Sequence, residues 1–221
     1  IFCVGKNYHA HAKEFSQSGF EAGASKDKPV DDYPAIFTKP PSTVIAMGDT
    51  VELHPEATSQ VDYEAELVVV IGTGGRHIPR ERALQHVAGY CCGHDVSARD
   101  WQLQKPGGQW LLGKTFDTFA PFGPELVTAD EVGDAGSLQI RLRLDGITLQ
   151  DSNTRQLIHP IDHLVSYVSG ICTLKPGDVI FTGTPPGVGA ARKPPIFLRP
   201  GNVAEVEIER LGVLRNPIVA E

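Results

Sequence analysis

The segment of residues 61–71, VDYEAELVVVI, limits what this chain can fold into more than any other stretch. Its last four residues are β-branched, and such a run is typical of a strand that is buried on both faces. Just before the run, Glu64 and Glu66 stand two positions apart, and residues two apart in a strand point to the same face. The sequence therefore predicts a core strand over residues 61–71 that carries two neighbouring carboxylates, with Tyr63, Ala65 and Leu67 on the opposite face.

A third carboxylate, Asp95, ends the apolar run of residues 87–94. Carboxylates that are close together and partly buried raise the pKa of at least one of them, unless a cation lies between them. Mg²⁺, Mn²⁺ and Ca²⁺ prefer such oxygen ligands. The spacing alone leaves two interpretations open: a divalent-metal site formed by Glu64, Glu66 and Asp95, or a solvated sheet face with Asp95 at a turn.

Most of the remaining pattern indicates strands, with a few helices between them. Asp145-Gly146 predicts a tight hairpin turn, because both residues tolerate positive φ. We predict strands over residues 1–4, 35–39, 90–94, 138–144, 147–150, 179–182 and 203–211, and helices over residues 7–14, 80–89 and 161–169. No repeat or linker interrupts this pattern, which predicts one domain over residues 1–221, mostly β with some α, in the α+β class.

Composition excludes several classes of partner. The net charge is −7, from 20 basic and 27 acidic residues, and no basic stripe suggests a nucleic acid or an anionic membrane. No apolar stretch approaches the roughly 18 residues that a membrane helix needs. The chain begins at Ile1 without an initiator Met, so we expect an upstream segment to be missing.

The four cysteines form no Cys-x-x-Cys pair, which disfavours a zinc or redox motif. We interpret them as small buried residues of a protein in a reducing compartment. They are Cys3, Cys91, Cys92 and Cys172.

His11 and Glu14 are candidates for acid–base chemistry. Residues three apart share a face of a helix, so Glu14 could orient and polarise the imidazole as a general base. A surface pair without a function is the alternative. Residues 16–35 form a long polar loop, and a loop of this kind beside such a dyad could close over a substrate as a lid.

Positive and polar side chains follow Asp95 closely. Arg99 and Gln102 would share a face if residues 99–103 are helical, with Ser97 as the N-cap, and Lys114 comes soon after. Cations near a metal could hold a carboxylate or an enolate oxygen. The glycine-rich segment of residues 182–189 could present backbone N–H groups to an anion.

Taken together, these segments resemble the fumarylacetoacetate hydrolase family. The similarity follows the chain in order and is carried by residues 4–8, 11–14, 62–67, 94–100, Gln102, 113–117, 175–178 and 182–189. Residues 109–117 and 192–195 are most similar to the short branch called fumarylacetoacetate hydrolase domain-containing protein 2.

The resemblance implies a mixed β-roll or sandwich with a few flanking helices, usually as a homodimer. It implies Mg²⁺ or Mn²⁺ on the three carboxylates, with Ca²⁺ as an occupant in crystals. Lys114, Gln102, Gly183 and Thr184 would hold a 2-oxo acid. His11 and Glu14 would be the base dyad, and Arg99 would support the site. The compartment would be the cytoplasm, or the mitochondrial matrix in a eukaryote.

Family chemistry leaves the reaction open. The first hypothesis is hydrolysis of a C–C bond in a small 2,4-dioxo acid, of the fumarylacetoacetate or acylpyruvate type. The alternative is keto–enol tautomerisation or decarboxylation of oxaloacetate, or a related isomerisation. The same cation and Lys114 would stabilise an enolate in each case. A remote alternative is a metal-binding protein without catalytic activity.

Overall fold

The computed structural model describes residues 1–17, 32–105 and 109–221. The predicted lid, residues 16–35, lies mostly outside these ranges. The strands in the described part are β1 Phe2–Gly5, β2 Ala35–Thr38, β3 Val44–Ile45, β4 Val51–Leu53, β5 Val61–Asp62, β6 Ala65–Ile71, β7 Val87–His94, β8 Ser97–Ala98, β9 Ala120–Thr128, β10 Gln139–Leu144, β11 Ile147–Asn153, β12 Val179–Phe181, β13 Val203–Ile208 and β14 Gly212–Ala220.

Helices are short and few in the same ranges. The α-helices are α1 His9–Gln17, α2 Arg99–Leu103, α3 Ala129–Val132 and α4 Ile161–Ile171. Short 3₁₀ helices cover Pro41–Thr43, Arg80–His86, Leu111–Lys114, Ala135–Ser137, Thr154–Gln156 and Gly189–Ala191. No helix among the described residues has both the length and the apolar character needed to cross a membrane.

The strands of the described part form two large sheets and one small pair. One sheet has seven strands in the order β2-β1-β12-β6-β7-β9-β3. The second has five strands in the order β11-β10-β13-β14-β4, and β5 pairs with β8. The α+β class and the roll-like sandwich with flanking helices, both expected from the sequence, are confirmed.

The seven-stranded sheet is curled, because its two edge strands are joined by a short connection. β2 ends at Thr38 and β3 begins at Val44, six residues later. Six fully extended residues reach at most roughly 20 Å. Seven strands laid flat would separate these edges by about 29 Å. The sheet therefore curls until its two edges lie near each other, and the short connection that closes this curl runs past the end of β7, where Asp95 lies.

The alternation predicted for the central strand is confirmed by its two apolar clusters. Tyr63, Ala65 and Leu67 belong to the large core between the two sheets, together with Ile140 and Val206 from the five-stranded sheet. On the opposite face of the curled sheet a smaller cluster forms, whose buried members are Cys3, Val68, Cys91, Ala120, Val179 and Phe181. Glu66 shares the face of Val68, so it points away from the main core.

Several element predictions need correction. The strand over residues 61–71 is two strands, because the backbone changes partner: Asp62 pairs with Ser97, whereas Ala65 pairs with His94. Ser97 is therefore a strand residue and not an N-cap. The predicted helix over residues 80–89 is a 3₁₀ helix that ends at His86.

The end of the chain also differs from the prediction. The strand over residues 203–211 ends at Ile208 and is followed by an antiparallel partner, Gly212–Ala220, which Pro217 obscured in the pattern. The hairpin at Asp145-Gly146 is confirmed, with φ of 52° and 79° at these residues. Of the four cysteines, Cys172 is only half-buried. The extent of the domain over residues 1–221 stays a prediction.

Candidate metal and substrate site

Strand pairing brings the three predicted metal ligands together. Ala65 is opposite His94 in the β6–β7 ladder, which places Glu64 beside Asp95, and the Asp95 amide donates to the Glu64 carbonyl over 2.9 Å. One carboxylate oxygen from each of Glu64, Glu66 and Asp95 lies within 4.8 Å of the others, and all three residues are buried. The three carboxylates therefore converge on one buried point and do not line a solvated sheet face.

Lys114 contacts two of these three carboxylates. The 3₁₀ helix Leu111–Lys114 brings its ammonium group to 2.8 Å from Glu64 Oε2 and 2.8 Å from Asp95 Oδ2. The side chain is almost fully buried, with 2% of its surface exposed. Lys114 therefore holds two of the candidate ligands together by charge-assisted hydrogen bonds.

A second buried lysine, Lys39, was not singled out from the sequence. It follows β2 in the connection that closes the curled sheet, and its Nζ lies 2.8 Å from Asp95 Oδ1. The same ammonium donates to the carbonyls of Val96, Lys114 and Phe119 at 3.0, 2.8 and 2.7 Å. Lys39 therefore ties the closure of the sheet to the position of Asp95. A lysine before two prolines gave no signal of this role.

Arg99 supports the site from the other side. Its guanidinium donates to Asp62 Oδ2 over 2.8 Å, to Glu64 Oε1 over 2.6 Å and to Gln102 Oε1 over 2.8 Å. Arg99 and Gln102 share a face of α2, as the spacing predicts. Asp62, which the sequence analysis missed as a site residue, also accepts from the amides of Gly189 and Ala190 at 2.7 and 2.9 Å.

The two glutamates have opposite electrostatic environments. Burial raises the pKa of Glu66, and the negative charges of Asp95 and Glu64 raise it further. Burial acts the same way on Glu64, but Lys114 and Arg99 outweigh it, so the Glu64 pKa is lowered. Glu66 is thus the carboxylate that lacks a cationic partner of its own, and its Oε2 accepts only from the Gly183 amide, over 2.8 Å, among the contacts described.

The charges at this site fit a divalent cation. Four buried carboxylates face three buried Lys and Arg side chains, namely Asp62, Glu64, Glu66 and Asp95 against Lys39, Arg99 and Lys114. Within the described ranges, Asp95 Oδ1 makes no hydrogen bond, since the nearby Lys39 donates its protons to carbonyls. A hard cation between Glu64, Glu66 and Asp95 would offset this excess negative charge and take up that oxygen.

The predicted dyad is assembled at the same place. His11 is buried, and its Nδ1 lies 3.4 Å from Glu14 Oε2, within α1. Glu14 accepts from the Gly187 amide at 3.1 and 3.0 Å through its two oxygens. The dyad is therefore held by the glycine-rich segment that follows β12, a contact that helix spacing did not predict.

That glycine-rich segment uses its amides mainly on carboxylates of the protein itself. The Gly183 amide donates to Glu66, and Gly183 has a φ of 102°, a conformation that favours glycine. Thr184 Oγ1 accepts from Gln150 Nε2 over 2.9 Å, and Gln150 also binds the Ala65 amide. Gln150 therefore braces the segment against the central strand, a role that sequence reasoning missed.

A small pocket of about 20 Å³ opens onto these groups. Its lining includes seven predicted site residues: His11, Glu64, Glu66, Arg99, Gln102, Lys114 and Thr184. Glu14, Asp95 and Gly183 lie behind this lining, where they contact His11, Lys114 and Glu66 respectively. The pocket therefore combines a cluster of carboxylates that could hold a cation with an imidazole and a buried ammonium, and a cation and an ammonium together would stabilise negative charge on a small carboxylic acid.

Comparison with known proteins identifies relatives of this chain. Residues 1–219 match the family model described as fumarylacetoacetate (FAA) hydrolase C-terminal. The chain is 48% identical over 219 residues, 99% of its length, to the mitochondrial oxaloacetate tautomerase fahd2 of Xenopus laevis, and 48% identical to the human mitochondrial oxaloacetate tautomerase FAHD2A. It spans only 65% and 66% of the length of these two relatives.

A solved structure adds a ligand-bound relative. Fumarylpyruvate hydrolase from Pseudomonas aeruginosa, in complex with Mn²⁺ and pyruvate, superimposes with a TM-score of 0.84 at 39% identity. The match covers 100% of this chain and 89% of that one. Because the family model matches residues 1–219, the chain belongs to the fumarylacetoacetate hydrolase family.

Proposed function

We propose that this protein is a divalent-metal-dependent enzyme that converts small 2-oxo carboxylic acids. The observation that carries the proposal is the meeting of three buried carboxylates within 4.8 Å beside a pocket that also holds His11 and Lys114. Glu64, Glu66 and Asp95 would hold Mg²⁺ or Mn²⁺. A bound cation would supply a Lewis acid for the carboxylate and keto oxygens of the substrate.

The reaction that we propose first is keto–enol tautomerisation of oxaloacetate. The support comes from the relatives at 48% identity, which bear that name. His11, oriented by Glu14, would take a proton from the carbon beside the keto group, and a proton would then be returned to the keto oxygen. The net change moves one proton from carbon to oxygen, so no further reactant is required.

Lys114 has the position to stabilise negative charge during this transfer. Its ammonium lies 2.8 Å from two candidate ligands and lines the pocket. Arg99 and Gln102 line the same pocket, but Arg99 already donates to three side chains, so its part is to fix Glu64. Thr184 and Gln102 would contact the substrate, while Gly183 would act through Glu66.

Hydrolysis of a C–C bond in a 2,4-dioxo acid, the first hypothesis from the sequence, is the second candidate. It is favoured by the similarity to fumarylpyruvate hydrolase. In that case His11 would remove a proton from water, and the resulting hydroxide would attack the 4-oxo carbon. The C3–C4 bond would break, and pyruvate would leave as its enolate. Decarboxylation of oxaloacetate would use the same stabilisation of an enolate.

A panel assay separates these reactions. The purified protein, loaded with Mg²⁺ or Mn²⁺, is given oxaloacetate, acetylpyruvate and fumarylpyruvate, and products are identified by NMR. Accelerated exchange between the keto and enol forms of oxaloacetate is expected. Cleavage of acetylpyruvate or fumarylpyruvate without such exchange would select the hydrolase instead, and release of CO₂ would select the decarboxylase.

Two controls test the assignment of residues. His11→Ala should lower turnover by about 10²- to 10⁴-fold while Mn²⁺ affinity, measured by calorimetry, stays the same. Chelation with EDTA should abolish turnover. No turnover of any 2-oxo acid, together with intact Mn²⁺ binding, would leave only the metal-binding alternative.

Assembly and compartment are part of this proposal. We propose a homodimer with a small-molecule substrate. The relatives from Xenopus laevis and human are named as mitochondrial proteins. For a eukaryotic source the matrix is therefore the compartment that we propose, and for a bacterial source the cytoplasm.

A further inference from the structure

A second, larger cavity, here called the hollow, adjoins the pocket of the candidate site. It has a volume of about 420 Å³, against about 20 Å³ for the pocket itself. Its lining is mainly apolar and includes Phe2, Ile36, Phe37, Trp110 and Leu111. Phe37 and Trp110 line both spaces, so these two rings form the wall between them.

Two interactions position the wall on the side of the pocket. The rings of Phe37 and Trp110 are 5.9 Å apart between centroids, in an edge-to-face arrangement with an angle of 72°. The interaction between two such rings adds stability beyond what the burial of their apolar surface contributes. The ammonium of Lys114 lies over the Phe37 ring, 5.0 Å from its centroid, so the wall also interacts with the group that holds the carboxylates.

Trp110 is placed by a close approach to the backbone. A Cβ added at Gly5 would lie 2.2 Å from Cζ3 of the indole, a distance at which two atoms cannot coexist. The indole therefore rests directly on the Gly5 backbone at the end of β1. Only glycine leaves room for Trp110 in this position, and this contact does not involve the carboxylate cluster.

The two sides of the wall differ in chemistry. The pocket side presents Lys114, Arg99 and the carboxylates that would hold a cation, and a cation and an ammonium suit the carboxylate and keto oxygens of a 2-oxo acid. The far side is lined by aliphatic and aromatic side chains, which suit an apolar chain. A 2-oxo acid bound by its head group at the carboxylates would meet the wall with its distal end.

We propose that Phe37 and Trp110 set the length of the substrate. As they stand, the two rings exclude an extended apolar tail, so the enzyme takes short 2-oxo acids. Removing the indole joins the pocket to the hollow and admits a longer tail. This inference rests on the proposed function, because it takes the head group to be a 2-oxo acid.

Direct binding tests the wall without relying on turnover. Calorimetry on the Mn²⁺-loaded protein measures the Kd of straight-chain 2-oxo acids from 2-oxobutanoate to 2-oxooctanoate. For the wild type, affinity is expected to stay level or fall as the chain lengthens. For Trp110→Ala, affinity is expected to rise about threefold for each added methylene, which is on the order of 30- to 100-fold over the series.

Three further variants sharpen this test. Phe37 lies on β2, and Phe37→Ala should show a smaller rise in affinity with chain length than Trp110→Ala. This variant keeps the test valid if Trp110→Ala does not fold. Trp110→Phe should be intermediate. Leu112→Ala is the matched control, because Leu112 lies on the 3₁₀ helix that follows Trp110, is 50% exposed and lines neither space. Its chain-length profile should equal that of the wild type.

The possible results distinguish a failure of the proposal about Phe37 and Trp110 from a failure of the proposed function. A rising affinity with chain length in the wild type, or an unchanged profile in both Trp110→Ala and Phe37→Ala, would overturn the wall alone. Intact Mn²⁺ binding without binding of any 2-oxo acid to any variant would overturn the proposed function, and the wall with it.

Discussion

Two networks of charged residues in this protein are alike in distance and opposite in environment. In the buried network, Arg99 donates to Asp62 and Glu64 at 2.8 and 2.6 Å, with 1% of its side chain exposed. In the surface network, Arg143 contacts Glu205 at 3.1 Å across the five-stranded sheet, with 24% of its side chain exposed. The geometry of a single pair would not tell them apart.

The surface network follows directly from strand register. Arg143 is opposite Glu205, and Glu205 is opposite Arg215, so the charges alternate across β10, β13 and β14. Water can solvate each of these groups if its partner is removed, so such pairs contribute little to stability. In the buried network no such substitute is available, because an ion left alone keeps its full desolvation cost. Burial therefore decides what each pair does.

The largest effect is expected from Arg99→Met. This change leaves Asp62 and Glu64 buried without their guanidinium, while the similar length of Met preserves most of the packing. Breaking a buried pair in this way costs about 3–5 kcal/mol. The free energy of unfolding of the metal-free protein, measured with urea at neutral pH, should fall by that amount.

Arg99→Lys separates charge from geometry in the same measurement. A lysine restores the positive charge, but its single nitrogen cannot replace the three guanidinium nitrogens that contact Asp62, Glu64 and Gln102. We expect it to recover less than half of the loss. Full recovery would show that net charge alone, and not the three fixed hydrogen bonds, stabilises this network.

A somewhat smaller effect is expected from Lys39→Met. The change removes a buried ammonium from Asp95 and from three backbone carbonyls, but Asp95 keeps its contact with Lys114. We expect a loss of about 2–4 kcal/mol in the free energy of unfolding. Because Lys39 links the sheet closure to Asp95, Mn²⁺ affinity measured on the folded variant should also fall. Unchanged affinity would restrict Lys39 to a purely structural role.

Glu66→Gln should act in the opposite direction in the absence of metal. Since the folded pKa of Glu66 lies above its ordinary value of 4.5, the stability it contributes is complete below that pH and is lost as pH rises through the folded pKa. Gln keeps an acceptor for the Gly183 amide and carries no charge. We therefore expect the metal-free variant to be more stable than the wild type by about 1 kcal/mol at neutral pH.

The metal reverses that order. At a Mn²⁺ concentration of 100 times its Kd, the wild type should gain about 2.7 kcal/mol, and Glu66→Gln should lose most of this gain. Thermal unfolding from pH 5 to pH 8, with and without Mn²⁺, measures both effects. A wild type that is already the more stable form without metal would contradict the position of Glu66 as the carboxylate lacking its own cation.

The buried network also shows how far the sequence could be interpreted. Glu64 and Glu66 could be predicted as neighbours because the alternation of side chains along a strand is a local rule. The alternation continues through these residues even though the strand is broken between Asp62 and Ala65. Asp95 could be placed near them only by its position after an apolar run. The register that sets it beside Glu64 is a property of two strands, which one strand's pattern does not contain.

Other residues of the site gave no local signal. Lys39 reaches Asp95 across 56 positions of sequence because the curled sheet brings its two edges together. Gln150 braces Thr184 from a strand of the other sheet, as an unremarkable residue of an edge strand. A buried Lys or Gln has the same letter as an exposed one, so only tertiary structure, or the resemblance to a family, distinguishes them.

The smallest effect, and the reference for all the others, is expected from Arg143→Met. The residue holds Glu205 and Glu207 on the outer face of the sheet, where removal leaves two solvated carboxylates. We expect a loss of no more than about 1 kcal/mol, which shrinks further in high salt because exposed charges are screened. The same urea measurement at low and high salt checks this. A loss as large as that of Arg99→Met, and independent of salt, would mean that the surface network is dehydrated in solution, and burial could then no longer explain the contrast between the two networks.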